Sequence, residues 1–537
     1  MPLLTHLTNI EDAASRFPAR VAFKIPQVNS QTDQIEQWTD ITFHQFLLDI
    51  EHLARYWFHV LKETSDIPQR SVIALCFGGF KYLDIVHVYA ISRAGYIPQL
   101  INIFENADFS VIEGPLEQAN TRAFIHESGY SDIVQNIPIP CFTLVTIVHP
   151  NDYPLPDLPH VTGSDVAVIY QTSGSASGKS KIVPCNYTWL DGIVHKMTRA
   201  RLPVDSANPD IVVWRGSMGF MAQFSGLISA IYRTSCMVQY KSGEPSTSEL
   251  VDIINRCKAN KLFLFPRFLK KHLRASYTDP ETLRALSSVD EIAYGGDSFG
   301  SDEEEEWAWK NGINLVNSFG TTECSGLLTS DGLRKSRQNY LRQLSGFRFT
   351  KFIPISSDSD LLELVVPQEA PDCPDVSLRS SDGNYHTNDL FREVEPGSYV
   401  FCGRSDDWFN MKNCSLCDTK SIEDNVRSLC GDIISDCVVV GNGRPSPVLV
   451  VEVCSPPPPS CSVSPNIDES ELKIEIYRRI HPFHAARYPH ERIASPDMIF
   501  VVPLGTLPRT ATKATVRRKV VEEAMKEKLD ELFSGDV

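Results

Sequence analysis

No run in this sequence interleaves Lys or Arg with aromatic residues, and its 51 Lys and Arg are outnumbered by 67 Asp and Glu, a net charge of -16. That deficit of positive charge argues against a nucleic-acid partner. No apolar run approaches the roughly 18 residues a membrane helix needs. Glu11 and Asp12 interrupt the N-terminal stretch before a signal-peptide core develops. The expectation is a soluble, cytoplasmic protein without membrane or nucleic-acid partners. Internal repeats are lacking too. Fourteen cysteines are scattered irregularly; only Cys414 and Cys417 form a C-x-x-C, with no second pair at zinc-like spacing beside them. Free thiols in a reducing compartment are expected, rather than a zinc site or disulfides.

What is present has the balance of a globular enzyme: 537 residues, 42% hydrophobic and 22% charged, enough for two or more domains. Apolar residues keep helical spacing from Phe43 to Leu61. The segment 71–77 reads as a buried strand and 81–95 as a helix stopped by Gly95. Further strands are expected at 166–170, 210–214, 261–265, 291–294 and 313–318. Such alternation predicts an α/β fold with largely parallel sheets. Three strands run into small or polar residues: 166–170 into a serine-glycine loop, 291–294 into Gly295 and Gly296, and 313–318 into Phe319 and Gly320. Ligands of open parallel sheets sit beyond the carboxyl ends of strands, so these loops form one candidate crevice. The acidic run 301–310 reads as a solvated helix start. The proline-serine stretch within 451–472 reads as a surface loop of a second, smaller domain.

Residues 170–181, YQTSGSASGKSK, nearly spell the phosphate-binding signature G-x-x-x-x-G-K-[ST]. Gly174 and Gly178 are separated by three residues where that signature needs four. Alone, the stretch fits a damaged P-loop, another kind of phosphate loop or a connector. Its companions in the chain are NSFGTTE (317–323), YHTNDL (385–390), GRSDDWFNMKN (403–413) and LPRTATKATVRRK (507–519).

In order and spacing these segments, with SRAGYIPQLI (92–101), resemble the adenylate-forming superfamily of acyl-CoA synthetases, luciferases and nonribosomal peptide synthetase adenylation domains. The variants here, NCSLCDTKSIEDNVR (413–427) and KATVRRK among them, are most similar to adenylation domains of fungal synthetase-like enzymes, including carboxylic acid reductases. The resemblance implies a large N-terminal domain of layered sheets and helices, 1–404, and a small mobile α+β C-terminal domain, 405–537. It implies ATP and Mg2+ as cofactors, with a carboxylate attacking the α-phosphate to give an acyl-adenylate and pyrophosphate. Such chemistry rests on positioning and on charge stabilisation at phosphate oxygens.

On the same resemblance, Thr172, Ser173, Gly174, Ser175, Ser177, Gly178 and Lys181 wrap the terminal phosphates, the loop being one residue longer than usual at Ala176 and carrying Ser180 where proline is common. Ser318, Phe319 and Gly320 lie at adenine, Thr322 at the α-phosphate, and Glu323 binds magnesium. Asp389 holds the ribose hydroxyls, with Asn388 in place of the usual glycine, and Arg404 contacts ribose or phosphate. Asp406 is the hinge on which the small domain swings, and Lys513 is the lysine it carries to the substrate carboxylate. The acyl acceptor implied is phosphopantetheine on a carrier protein or downstream domain, or coenzyme A; residues 520–537 hold no carrier serine motif.

Amino-acid-activating relatives place an aspartate in the stretch corresponding to WRGSMGFMAQFSGL (214–227), which has no acid here. A buried ammonium without a counter-charge is costly. This points to an aryl, α-keto or aliphatic acid rather than a standard α-amino acid. Phe220, Met221 and Gln223 are pocket candidates facing Gly295 and Gly296, with core packing as the alternative. The competing readings are a stand-alone acid-CoA ligase, a P-loop hydrolase and a non-catalytic nucleotide-binding relative.

Overall fold

The structure is a computed structural model that describes residues 3–101, 110–130, 134–147, 150–172, 181–200, 208–296, 299, 302–333, 335–336, 338–356, 359–405, 408–412, 416–453, 468–485, 491–510 and 515–534. Two compact units emerge: one of residues 1–172, 180–387 and 392–400, the other of 173–179, 388–391 and 401–537. No described helix is long and apolar enough to cross a membrane.

The larger unit is a layered α/β structure. One of its sheets has nine strands in the spatial order Arg342–Gln343, Ser325–Thr329, Leu315–Thr321, Glu291–Tyr294, Lys261–Leu264, Ile211–Val213, Cys236–Val238, Val21–Val28 and Ile35–Thr42. From Leu315–Thr321 through to Val21–Val28 every neighbour is parallel. The added edges are antiparallel. A six-stranded sheet runs Cys141–Thr143, Thr121–His126, Val72–Cys76, Ile97–Ile101, Val166–Thr172 and Lys181–Asn186. Only its last pair is antiparallel. Val72–Cys76 is buried along its whole length, as an uninterrupted apolar run in a covered parallel sheet should be.

The helix Phe43–Phe58 buries Phe46, Ile50, Leu53 and Trp57, the stripe its spacing predicts. The helix Tyr82–Arg93 is buried on nearly every side and stops at Gly95, whose φ of 87° lets Tyr96 N reach back to Ile91 O at 3.0 Å. Two expectations need correction. The strand expected at 313–318 runs to Thr321, because Ser318 to Thr321 pair with Ser325–Thr329. The acidic run forms the helix Asp302–Lys310, yet Glu304 is 1% exposed and bonded to Arg274 at 2.7 Å, and Glu305 accepts the Tyr294 hydroxyl at 2.5 Å. That helix start is therefore only partly solvated.

The smaller unit has a three-stranded sheet, Ile434–Val440, Val448–Val453 and Ile499–Val502, the first pair antiparallel and the second parallel. Alternation divides its side chains between two cores. Cys437, Val439, Leu449 and Val451 pack with Ile422, Val426, Ile476 and Ile480. Val438, Val440, Val448 and Val450 pack with Leu507, Val521, Leu529 and Phe533. Residues 454–467, most of the proline-serine stretch, lie outside the described residues. The described cysteines are free thiols, and no group of three or more metal-ligating side chains occurs among the described residues.

Candidate active site

The serine-glycine stretch joins Val166–Thr172 to Lys181–Asn186, and Thr172 and Lys181 are directly opposed partners of that antiparallel pair. Two members of the expected phosphate set thus flank one hairpin mouth. Ser173, Gly174, Ser175, Ser177 and Gly178 lie outside the described residues. The helix Tyr187–Ala200 follows at once, with Asn186 Oδ1 accepting Trp189 N at 2.8 Å in the manner of an N-cap.

Ser318, Phe319, Gly320, Thr322 and Glu323 lie on a second hairpin. Thr321 pairs with Ser325, leaving Thr322, Glu323 and Cys324 as a three-residue turn, and Ser325 sits at φ 58°. A three-residue hairpin loop closed by a left-handed residue is a standard solution, though a non-glycine there carries strain of about 1 kcal/mol or more. A Cβ on Gly320 would stand 2.4 Å from Ser325 O, so only glycine permits this approach. The turn is pinned from inside: Thr321 Oγ1 accepts Cys324 N at 3.1 Å, and Trp189 Nε1 donates to Glu323 O at 2.9 Å. Cys185, buried on the strand after the serine-glycine stretch, has its thiol pushed far up by burial and by the Glu323 carboxylate. The helix that follows the serine-glycine stretch therefore meets the Thr322–Glu323 turn through Trp189.

Asp389 and Arg404 occupy the neighbouring strands Tyr385–Glu395 and Ser398–Arg404. Asp389 is 5% exposed and Arg404 Nη1 lies 3.3 Å from its Oδ1. Asn388 has φ 59°. That is the left-handed backbone a glycine adopts freely and asparagine tolerates better than most residues, so the replacement keeps the local geometry.

The acid-pocket candidates separate. Gln223 is fully enclosed; its Oε1 accepts Arg215 N at 2.7 Å and its amide nitrogen lies 3.5 Å from Met237 Sδ. Met221 is 4% exposed at the start of the helix Met221–Tyr232. Both side chains are buried in the first turn of that helix. Phe220 remains half-buried, its ring centroid 5.9 Å from that of Phe265. Gly296, at φ 89°, would place a Cβ 2.9 Å from the Phe265 ring. Gly295 abuts the Ser318 carbonyl, a Cβ there standing 2.2 Å away. Phe265 thus links both expected walls, and the sequence reading missed it because its strand runs into Pro266 rather than glycine.

Asp406 and Lys513 lie outside the described residues. The chain on either side of Lys513 is held firmly: Thr510 N donates to Thr515 O at 2.8 Å, and buried Glu452 accepts Leu507 N at 3.0 Å and Arg509 Nη2 at 2.7 Å.

Fold and motifs together define an adenylate-forming enzyme with a large N-terminal and a smaller C-terminal domain. Family models match as AMP-binding enzyme over residues 10–344 and as AMP-binding enzyme C-terminal domain over residues 406–536. The AMP-binding domain-containing enzyme iboA of Amanita muscaria (strain Koide BX008) is 31% identical over 526 residues, 94% of this chain and 98% of that enzyme. The adenylate-forming reductase Nps11 of Serpula lacrymans var. lacrymans (strain S7.9) is 22% identical over 296 residues, 54% of this chain, and the match spans 26% of the reductase. Among solved structures, o-succinylbenzoate CoA synthetase (MenE) of Bacillus subtilis with its acyl-adenylate intermediate OSB-AMP has a TM-score of 0.72 at 14% identity, covering 97% of this chain and 99% of the synthetase. The same synthetase with ATP and magnesium gives 0.71 at 15% identity, covering 95% and 98%. The chain belongs to the AMP-binding enzyme family.

Proposed function

We propose that this enzyme uses ATP to convert a carboxylic acid into an acyl-adenylate, releasing pyrophosphate, and passes the acyl group to the thiol of a carrier phosphopantetheine. The observation that carries the reading is the bond by which Trp189, in the first turn of the helix after the strand Lys181–Asn186, fixes the carbonyl of Glu323. In the first step a carboxylate oxygen attacks the α-phosphorus, a P–O bond forms, and the bond to pyrophosphate breaks. Thr172, Lys181 and the serines and glycines between them hold the β- and γ-phosphates. Ser318, Phe319 and Gly320 seat adenine, Thr322 donates to the α-phosphate, and Asp389 and Arg404 hold the ribose. Glu323, a half-buried carboxylate on a fixed turn, is a hard oxygen donor of the kind magnesium takes. Magnesium bound there supplies charge neutralisation at the phosphates.

The domain boundary proposed is 1–404 and 405–537, with Asp406 as hinge and Lys513 delivered to the reacting carboxylate; the separate matches of the two family models, the second beginning at 406, support it. The substrate proposed is an aryl, α-keto or aliphatic acid, supported by a 214–227 stretch that bears Arg215 but no acid and by the aromatic pair Phe220 and Phe265. Coenzyme A is the second reading for the acceptor, favoured by the likeness to a CoA synthetase over nearly its full length. The test is acid-dependent ATP-pyrophosphate exchange, followed by thioester formation with a carrier protein or with coenzyme A. Absence of exchange with every acid overturns the reading.

A further inference from the structure

The helix Tyr187–Ala200 engages the turn after Thr321 residue by residue. Trp189 Nε1 donates to Glu323 O at 2.9 Å, Lys196 Nζ donates to Cys324 O, and Met197 Sδ lies 4.0 Å from Ser325 Oγ. Lys196 is the unexpected member, because its side chain is 1% exposed. Its ammonium is 2.6 Å from Asp372 Oδ2, whose side chain is 2% exposed, and 5.7 Å from the Phe347 ring. The backbone is arranged for this pair. A Cβ on Gly192, one turn before Lys196, would stand 2.3 Å from Pro371 O, so the helix meets the Pro371–Asp372 segment in backbone contact.

A buried ion pair is a poor device for stability, since well-packed apolar residues of similar volume often do as well or better. This pair is also imperfect: Asp372 Oδ1 is buried without a hydrogen bond among the described residues. What it does supply is direction. The ammonium is a compact donor that satisfies a carboxylate and the Cys324 carbonyl at once. Trp189 holds the carbonyl of the Glu323–Cys324 peptide, whose N–H donates to Thr321 Oγ1, and Lys196 holds the carbonyl of the next peptide, Cys324–Ser325. These two peptides form the closing half of the turn, so fixing them restricts how the turn presents Thr322 and Glu323. We propose that Lys196 and Asp372 are positioning residues that hold the Thr322–Glu323 turn in its nucleotide- and magnesium-binding orientation. The inference rests on the role given above to Thr322 and Glu323.

The test compares Lys196→Met, Lys196→Arg, Asp372→Asn and the paired apolar variant Lys196→Met/Asp372→Leu with the parent enzyme. Two readouts are used: the magnesium dependence of ATP-pyrophosphate exchange, and calorimetric binding of α,β-methylene-ATP with and without magnesium. Lys196→Met is expected to raise the half-saturating magnesium concentration at least tenfold and to lower kcat of exchange. The KM for the acid should move less than threefold, because the Phe220 and Phe265 side of the site is untouched. The magnesium-dependent gain in analogue affinity should shrink at least tenfold. Lys196→Arg recovers part of the loss, and Asp372→Asn falls between. The paired variant is expected to melt within a few degrees of the parent while keeping the magnesium defect. A folded paired variant with parental magnesium response overturns the inference and leaves the proposed function standing. A parent enzyme without acid-dependent exchange overturns both.

Discussion

Arg404 Nη1 lies 3.3 Å from Asp389 Oδ1, joining on neighbouring strands two residues that the sequence motifs put fifteen positions apart. The arginine pairs a carboxylate that is 5% exposed. Asp389→Asn keeps the volume and removes the charge that two ribose hydroxyls would share. Hydrogen bonds to a charged group are worth about 1.5–3 kcal/mol. The KM for ATP in exchange assays should therefore rise at least tenfold, with the KM for the acid little changed.

Gly320→Ala tests the hairpin. The added methyl would stand 2.4 Å from Ser325 O and 2.9 Å from Gly326 Cα, both backbone atoms that no side-chain rotation can clear. Overpacking of this kind costs about 1–3 kcal/mol. The variant should melt several degrees lower, and exchange activity should fall by more than the lost folded fraction, because the displaced turn carries Thr322 and Glu323.

Lys513→Ala should lower exchange by about a hundredfold or more, the size of effect seen when one donor to a developing charge is removed. Transfer to the thiol from a presynthesised acyl-adenylate should persist. Thr510 N donates to Thr515 O outside the substituted position, so the melting temperature should hardly change.

His386 predicts a pH effect away from the chemistry. Its Nδ1 lies 2.9 Å from Glu363 Oε2 and its Nε2 3.2 Å from Asp382 Oδ2. The bond to Glu363, joined by that to Asp382 and opposed by partial burial, raises the imidazole above its usual 6.5. A raised folded-state value means the stabilisation is fully present below about pH 6.5 and is lost as pH climbs through the raised value. The site is well solvated, so the contribution is about 1 kcal/mol or less. Denaturant titrations should show His386→Gln less stable than the parent at pH 5.5, with the gap closing by pH 9.

Much of this was legible from local pattern. Period and glycine punctuation located Val72–Cys76, Tyr82–Arg93 and Glu291–Tyr294 to within a residue or so at most ends, because buried parallel strands and their helices carry uninterrupted or 3.6-spaced apolar runs. Motif order singled out Asp389 and Arg404, which the structure puts on neighbouring strands, and Thr322 and Glu323, which it puts in one hairpin turn. What escaped were features made by tertiary contact. Gln223 and Met221 share their stretch with Phe220, and tertiary packing alone makes the first two buried and Phe220 half-buried. Phe265 follows the strand Lys261–Leu264 and precedes a proline, which gave no loop signal. Lys196 carries no local signal, because its partner Asp372 is 176 positions away. Glu304 likewise looked solvated until Arg274 enclosed it.

The most direct measurement is ATP-pyrophosphate exchange with magnesium over a panel of aryl, α-keto, aliphatic and α-amino acids. At least one non-amino carboxylic acid is expected to stimulate exchange tenfold or more above the acid-free rate, with the stimulation abolished in Lys513→Ala. Exchange that no acid stimulates, or that survives Lys513→Ala unchanged, would contradict carboxylate activation by this enzyme.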